Sequence, residues 1–98
     1  MTTTKRIPKM KRQKVTFVFE STEAGEVLLS GDFNNWSPKA HPMKNDGNGR
    51  WKRTLKIPQG RYEYKFLADG QWKMDPRNDQ ICPNHFGTYN SVLNLNLK

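Results

Sequence analysis

Apolar and polar residues alternate in short segments along the chain, and the spacing is that of β-strands. Val15, Phe17 and Phe19 share one face of the first such segment, because successive side chains of a strand point to opposite sides. Further segments of this kind are 27–30, 51–57, 62–66, 71–74 and 90–98, and turn-forming residues separate them. No segment has helical periodicity. The pattern predicts about seven short strands, no helix and an all-β antiparallel sandwich.

The dipeptide Asp69-Gly70 is the strongest turn signal and sets a register. Such pairs favour two-residue hairpin loops, so Leu67 is expected to face Trp72 across the hairpin. Lys65 then shares the side of Trp72, opposite the aromatic stripe of 62–66. Since the aromatic stripe is the better core candidate, Lys65 and Trp72 are expected on the outer surface.

A chain of 98 residues fits one domain with a modest core. A (β/α)₈ barrel needs about 250 residues, so large catalytic scaffolds are excluded. Only 34% of the residues are hydrophobic and 11% are aromatic, which means that the core depends on its aromatic side chains. Trp51 begins a core-facing stripe, and Phe33 is expected to plug the core beneath its loop.

The net charge of +8 is unevenly distributed. Residues 15–98 contain 11 bases and 9 acids, whereas the segment before Val15 contains six bases and no acid. Those six are Lys5, Arg6, Lys9, Lys11, Arg12 and Lys14. We therefore expect a basic, disordered tail at 1–14 and a folded domain at 15–98. A basic arm can bind nucleic acid or an anionic surface, and a solvated terminus that aids solubility is the alternative.

Cellular context is predicted from what the chain lacks. No apolar run approaches the roughly 18 residues of a membrane span, and residues 1–14 lack the apolar stretch of a secretory signal. Cys82 is the single cysteine, which excludes an internal disulfide and suits a reducing compartment. We expect a separate cytoplasmic protein with no membrane partner.

Three segments, in order, resemble carbohydrate-binding module family 48. They are Val27–Trp36 (VLLSGDFNNW), Gly60–Pro76 (GRYEYKFLADGQWKMDP) and Phe86–Leu93 (FGTYNSVL). The family includes the glycogen-binding domain of the AMP-activated protein kinase beta subunit and the domain before the catalytic barrel of isoamylases and glycogen branching enzymes. The likeness runs from about Val15 to Leu97. It implies an immunoglobulin-like antiparallel β-sandwich of the early-set type.

The resemblance also implies a binding site for an α-1,4-glucan. Pyranose rings have an apolar face and a belt of hydroxyls, which suit an aromatic plane surrounded by a few polar groups. Carried over from the family, Trp36 and Trp72 would stack on sugar rings, and Lys65, Thr88 and Asn90 would donate or accept hydrogen bonds. Phe86 stands where the kinase subunit has a leucine, so whether it stacks on a ring or blocks one stays open.

Each of these residues also has a purely structural interpretation. In isolation, Trp36 would be a loop anchor that packs on the core, and Lys65 would be a solvated surface lysine. Thr88 and Asn90 could bond only the backbone of their turn. Under the binding hypothesis, the rings of Trp36 and Trp72 are both expected to be largely exposed.

Other chemistry finds little support in the sequence. His41 and His85 have no second ligand at metal spacing, and Cys82 lacks a CxxC partner, so no metal or cofactor is predicted. No Ser/His/Asp arrangement, P-loop or GxGxxG motif occurs. Among Asp69, Asp75 and Asp79 a glycosidase pair could be sought, but Asp69 is better explained by its turn and Asp75 by its Asp-Pro step. We therefore expect no enzyme activity.

Two functions remain open. The first is a non-catalytic module that binds glycogen-like or starch-like glucan or a maltooligosaccharide, with a glycogen-metabolism enzyme or a kinase as protein partner. The alternative is an adaptor for protein or nucleic acid that uses the basic tail. Aromatic residues interleaved with bases are typical of single-strand binders. Here, however, most of the excess charge is in the tail and the aromatic residues are in the domain, which disfavours nucleic acid.

Overall fold

The computed structural model describes residues 12–96, which form two antiparallel sheets. The strands are β1 (Arg12–Glu20), β2 (Val27–Gly31), β3 (Lys44–Asn45), β4 (Arg50–Pro58), β5 (Gly60–Ala68), β6 (Gln71–Lys73), β7 (Ile81–Pro83) and β8 (Tyr89–Leu95). The three-stranded sheet has the order β1-β4-β3. The five-stranded sheet has the order β2-β5-β8-β7, and β6 also pairs with β5. This arrangement confirms the predicted all-β sandwich.

The core lies between the sheets and is largely aromatic, as the composition predicted. The ring of Phe17 lies 5.0 Å from that of Tyr64, and the ring of Phe19 lies 5.0 Å from that of Phe66. These pairs join β1 to β5. The other buried core side chains are Val27, Leu29, Met43, Trp51, Leu55, Ile57, Ala68 and Leu95.

Two individual core predictions are confirmed. Trp51 is only 7% exposed, and its Nε1 donates to the carbonyl oxygen of Ser21 at 3.1 Å. Phe33 is partly buried against the core, with its ring 5.5 Å from the ring of Phe17. Both residues therefore serve the packing between the sheets.

The β5–β6 hairpin has the predicted register. Leu67 faces Trp72 across a two-residue loop. Asp69 and Gly70 have φ angles of 48° and 80°, the left-handed values that both central residues of a type I′ turn need. The Asp69 carboxylate also accepts a hydrogen bond from the backbone N–H of Glu26 at 2.9 Å. The hairpin is thereby tied to the turn that leads into β2.

The structure departs from the sequence predictions at short elements and at one boundary. The two-residue strand β3, the three-residue strand β7 and a 3₁₀ turn at Asp32–Asn34 were not predicted, because elements this short carry almost no periodicity. Strand β1 begins at Arg12, not Val15, since Arg12–Lys14 find partners at the end of the long strand β4. The predicted core position Leu97 and the bases Lys5, Arg6, Lys9 and Lys11 lie outside the described residues. Within residues 12–96, no helix has the length and apolar character needed to cross a membrane.

Candidate functional site

Two tryptophans meet on the outer face of the five-stranded sheet. Trp72 lies in β6 and is 46% exposed. Trp36 follows the 3₁₀ turn, and its ring centroid lies 6.2 Å from that of Trp72, with 64° between the ring planes. We call this edge-to-face pair, Trp36 with Trp72, the aromatic corner. It presents two apolar surfaces at an angle to each other, beside the sheet.

The loop that carries Trp36 is tightly constrained. A Cβ atom at Gly31 would lie 2.5 Å from the carbonyl oxygen of Glu63, so only glycine allows the chain to pass β5 here. Asn35 and Trp36 then have φ angles of 56° and 57°. Asparagine tolerates this left-handed region, but for a bulky residue it is uncommon and costs about 1–3 kcal/mol. Such strain is typical of functional sites.

Asp32 holds the indole of Trp36 in place. Trp36 Nε1 donates to Asp32 Oδ1 at 3.0 Å, and the backbone N–H of Glu63 donates to Asp32 Oδ2 at 2.7 Å. These contacts explain why Trp36 is half-buried, so the expectation that it is largely exposed is wrong. Sequence reasoning missed Asp32, although an acid four residues before a tryptophan was the available signal.

Lys65 lies on the outer face, as the hairpin register predicted, but it is not a solvated lysine. Its side chain is buried, with 8% exposure. Strand β5 is central in its sheet, so neighbours in β2 and β8 flank Lys65 on both sides. The Nζ atom donates to Thr88 Oγ1 at 3.2 Å. The ammonium group is therefore bonded to Thr88, and its strand β5 pairs with β6, which carries Trp72.

Thr88 and Asn90 take part in a network of side chains. Asn84 Nδ2 donates to Thr88 Oγ1 at 2.7 Å and to Asn90 Oδ1 at 2.9 Å. Asn90 is buried, and its Nδ2 donates to Glu63 Oε1 at 3.0 Å. The interpretation that Thr88 and Asn90 bond only their turn backbone is therefore wrong. Asn84 was missed by sequence reasoning, and its position after Pro83 in a turn-forming segment was the only signal.

Glu63 supplies the negative charge beneath this network. Arg61 Nη1 donates to Glu63 Oε2 at 2.8 Å. This hydrogen bond, and then the one from Asn90, hold the pKa of Glu63 below its ordinary value. Glu63 is therefore an ionised acceptor at neutral pH, and it fixes which end of the Asn90 amide faces β5.

Phe86 lies at the tip of the loop between β7 and β8, and it is 88% exposed. Its backbone N–H donates to Asn84 Oδ1 at 2.9 Å, and the next residue, Gly87, has a φ angle of 77°. Within residues 12–96 its ring makes no aromatic contact. The turn thus presents a free apolar side chain next to Thr88.

The site is an open surface. A cavity of about 200 Å³ lies elsewhere, between the edge of β1 and the other sheet, where Val15, Phe17, Tyr64, Asp75 and Leu93 line it. In the part of the chain that the structure describes, no group of three or more His, Cys, Asp or Glu side chains is placed to hold a metal ion. The aromatic corner and its polar neighbours are suited to an elongated, neutral, hydroxyl-rich ligand.

The family of this chain is shown by its sequence relatives. A family model described as "Glycogen recognition site of AMP-activated protein kinase" matches residues 13–98. The chain belongs to this glycogen-recognition family. The match confirms the resemblance drawn from the three sequence motifs, and with it a module that binds glucan.

Similar proteins include 5'-AMP-activated protein kinase subunit beta-1 of Sus scrofa, 40% identical over 79 residues that cover 80% of this chain and 62% of the relative. Subunit beta-2 of Homo sapiens is 37% identical over 79 residues, which cover 80% of this chain and 28% of that subunit. "Protein PTST homolog 2, chloroplastic" of Arabidopsis thaliana is 51% identical over 53 residues, or 54% of this chain and 10% of the relative. The glycogen-recognition domain described here thus spans less than two thirds of the length of these relatives.

Proposed function

We propose that this glycogen-recognition domain binds an α-1,4-glucan at the aromatic corner and the polar network beside it. The observation that carries the proposal is the edge-to-face pair of Trp36 and Trp72, next to a buried lysine whose ammonium is fixed on Thr88. Two angled aromatic planes suit a curved chain, in which successive sugar rings face different directions. Fixed polar groups suit the hydroxyl belt of those rings.

The chemistry of each residue in the proposed site suggests its role in binding the sugar. Trp72 is the more exposed ring and offers the main stacking surface, and Trp36 forms the second wall. Lys65 donates to sugar hydroxyls with the N–H groups that Thr88 leaves free, since an ammonium has three. Thr88 and Asn90 add hydrogen bonds, and Phe86 adds an apolar contact from its loop.

The module acts by binding and not by catalysis. Two carboxylates lie near the corner, but both are engaged: Asp32 holds the indole of Trp36, and Glu63 is bonded to Arg61 and Asn90. Neither is placed as a free acid or base above the stacking surface. We infer that no glycosidic bond is broken here.

The relatives support a role in assembly with other proteins. Two of those described above are named as subunits of a protein kinase. We propose that the domain brings a kinase or glycogen-metabolism enzyme to its glucan. Purified domain on glycogen beads is expected to retain such a partner from a matching extract, and free maltoheptaose in excess should release both together.

Domain limits and location are also proposals. We place the start of the folded domain at Arg12, after a basic segment at 1–11, because β1 begins there. The single cysteine supports a cytoplasmic location, whereas one plant relative is named as chloroplastic. Fractionation of cells that express the natural protein will test the cytoplasmic assignment.

The stacking role is tested by Trp72→Ala. Loss of the ring is expected to weaken maltoheptaose binding by about 1–3 kcal/mol, the scale for bases stacked on aromatic side chains, which is about 5- to 150-fold. The melting temperature should change little because the ring is exposed. Isothermal titration calorimetry with maltoheptaose measures the loss, with cellohexaose as the β-linked control.

Ile81→Ala provides a matched control. Ile81 is 49% exposed, close to the 46% of Trp72. It faces Ser91, whose hydroxyl accepts from Asp75 on the core side of the sheet, so Ile81 lies on the face opposite Trp72. The control should bind maltoheptaose normally. If Trp72→Ala also binds normally, the corner is not the site.

A further inference from the structure

The loop 84–88, which joins β7 to β8, is organised around one side chain. Asn84 Oδ1 accepts the backbone N–H of Phe86 at 2.9 Å and that of Thr88 at 3.1 Å. The backbone N–H of Asn84 donates to the carbonyl oxygen of Thr88 at 2.9 Å. The carbonyl end of the Asn84 amide therefore closes the loop.

The other end of the same amide faces the proposed glucan site. Asn84 Nδ2 lies 2.7 Å from Thr88 Oγ1 and 2.9 Å from Asn90 Oδ1. Lys65 hydrogen-bonds to Thr88 but not to Asn90, and Glu63 hydrogen-bonds to Asn90 but not to Thr88. Within residues 12–96, Asn84 is the side chain that hydrogen-bonds to both.

These contacts fix the direction of the Asn90 amide. Its Oδ1 receives a hydrogen bond from Asn84, and its Nδ2 donates to Glu63. If the Asn90 amide were reversed, its NH₂ group would face the NH₂ group of Asn84, and its oxygen would face a carboxylate oxygen of Glu63. The second N–H and the second lone pair of Asn90 thus have set directions before any ligand arrives.

We propose that Asn84 is a positioning residue of the glucan site, which orders Thr88, Asn90 and the base of the Phe86 turn before the sugar binds. The inference rests on the proposed function of this face. Ordering a side chain on binding costs about 0.5–1.5 kcal/mol. A site whose polar groups are already held avoids that cost for both Thr88 and Asn90.

The competing interpretation is that Asn84 only closes its turn, as asparagine often does. The substitution Asn84→Asp separates the two. A carboxylate keeps an oxygen acceptor for the N–H groups of Phe86 and Thr88 and for the Thr88 hydroxyl, which lies 3.0 Å from Asn84 Oδ1. It cannot donate to Asn90 Oδ1 and would repel it. A turn-closing role predicts no loss of glucan affinity, whereas a positioning role predicts a loss.

The experiment compares wild type, Asn84→Asp, Asn84→Ala and Asn94→Ala for maltoheptaose affinity and melting temperature. Asn94 is an exposed asparagine further along β8 and serves as the control. We expect Asn84→Asp to weaken binding about threefold to tenfold, the equivalent of ordering one side chain, at a nearly unchanged melting temperature. We expect Asn84→Ala to lower both, and Asn94→Ala to change neither. Wild-type affinity in Asn84→Asp would overturn the proposal.

A double-mutant cycle shows whether Asn84 acts through its two neighbours. In a Thr88→Ala/Asn90→Ala background, adding Asn84→Asp should cause no further loss of affinity, because nothing remains to be positioned. A full additional loss would contradict a positioning role. Trp72→Ala in the same series tests the proposed site, because normal maltoheptaose binding by this variant would rule out the aromatic corner. If wild type does not bind maltoheptaose, the proposed function fails.

A measurement without sugar tests the positioning role even if wild type does not bind maltoheptaose. In wild type, the side-chain NH₂ of Asn90 should give a dispersed NMR signal with slow hydrogen exchange, since it is buried and bonded to Glu63. In Asn84→Asp, we expect that signal to shift and exchange at least tenfold faster. An unchanged signal would overturn the inference whatever the outcome of the binding assays.

Discussion

The two outer faces of the sandwich hold their polar side chains in different ways. The face for which we propose sugar binding, called the sugar face, lies on the five-stranded sheet and contains Trp36, Lys65, Trp72, Thr88 and Asn90. The basic face, on the three-stranded sheet, is formed by Arg12, Lys14, Lys44, Arg50, Lys52 and Lys56. On the sugar face, Lys65 and Asn90 are buried and bonded to other side chains. On the basic face, all six side chains are exposed.

The basic face also contains unfavourable pairs. Lys14 faces Lys56 directly, and Lys44 faces Lys52, although like charges opposite each other in a sheet are destabilising. Among the described residues, Glu20 forms the ion pair on this face, with Arg50 at 3.9 Å. An exposed pair of this kind contributes little.

This difference bears on the binding site that we propose. Both faces carry lysines, but Lys65 is buried and bonded to Thr88, while the lysines of the basic face are exposed to solvent. Fixed groups can match the hydroxyls of one ligand, whereas mobile cations attract any anion through a long-range, salt-sensitive field. We therefore expect the two faces to respond differently to the following changes.

The largest expected effect concerns the core that both faces share. Trp51→Ala removes a side chain that is 7% exposed and should lower the free energy of unfolding by about 3–5 kcal/mol. Because domains of this kind have about 5–15 kcal/mol in total, we expect the variant to be partly unfolded at room temperature if the wild type is near the lower limit. Urea denaturation measures the loss. A near-wild-type midpoint would show that Trp51 is not a core residue.

The next largest effect is expected from salt, which should change ligand binding at the two faces to different extents. Stacking and neutral hydroxyl contacts release few counterions, so maltoheptaose affinity should change less than about threefold between 50 and 200 mM salt. Any DNA binding through six phosphates should fall about 10³-fold over the same range. Paired titrations with maltoheptaose and single-stranded DNA measure both.

A chain that begins at Arg12 is the control for the salt experiment. It lacks Lys5, Arg6, Lys9 and Lys11 but keeps the basic face and the sugar face. If the shortened chain no longer binds DNA, the binding depends on residues 1–11. If it still binds DNA, the binding depends on the basic face. Submicromolar DNA binding at physiological salt without glucan binding would favour the adaptor hypothesis instead.

Acid should weaken the sugar face at a pH set by Glu63. Arg61 and Asn90 lower the pKa of Glu63, so the stabilisation that its charge provides is complete above the ordinary glutamate pKa of about 4.3 and is lost as pH falls through the lower folded value. We expect a flat maltoheptaose affinity above the ordinary glutamate pKa, and a decrease only below it.

Glu63→Gln sharpens this test, because glutamine keeps an oxygen acceptor for Asn90 but does not titrate in this range. Its maltoheptaose affinity should be two- to threefold weaker than that of wild type, about 0.5 kcal/mol, and should not change further in acid. A wild-type transition near pH 6 would point to a histidine and contradict the role of Glu63.

The smallest effect is expected on the basic face. Lys56→Gln removes one member of the pair with Lys14, so stability should change by less than about 0.5 kcal/mol, in the stabilising direction. Maltoheptaose affinity should be unchanged. Thermal melting and calorimetry measure the two quantities, with Lys73→Gln, on the other sheet, as the matched control. A several-fold loss of glucan affinity in Lys56→Gln would show that the faces are not independent.

Much of the fold could be predicted from local pattern. Alternation gave the long strands, and Asp69-Gly70 gave the hairpin register that places Trp72 and Lys65 on one side of β5. The short strands β3 and β7 could not be found this way, because two or three residues show no period. Their existence depends on longer neighbours that offer free backbone groups.

The sequence indicated the candidate site residues, but it did not indicate the hydrogen bonds that hold them in place. The motifs indicated Trp36, Trp72, Lys65, Thr88 and Asn90, yet not the side chains that hold them. Asp32 acts on β5 from 31 residues away in the sequence, and Lys65 reaches Thr88 across 23 residues. Such distances leave no periodic signal.

The sequence by itself determined which segments are strands, which side of each strand is apolar and how many charges the chain carries. Only the tertiary structure decided that Lys65 is buried, that Asn84 faces both Thr88 and Asn90, and that six bases share one face. The reason is physical: strand patterning depends on neighbours one or two residues apart, whereas burial and electrostatic environment depend on strands that pair from distant parts of the chain. Net charge, in particular, is a sum over the sequence and does not specify where on the surface the charges meet.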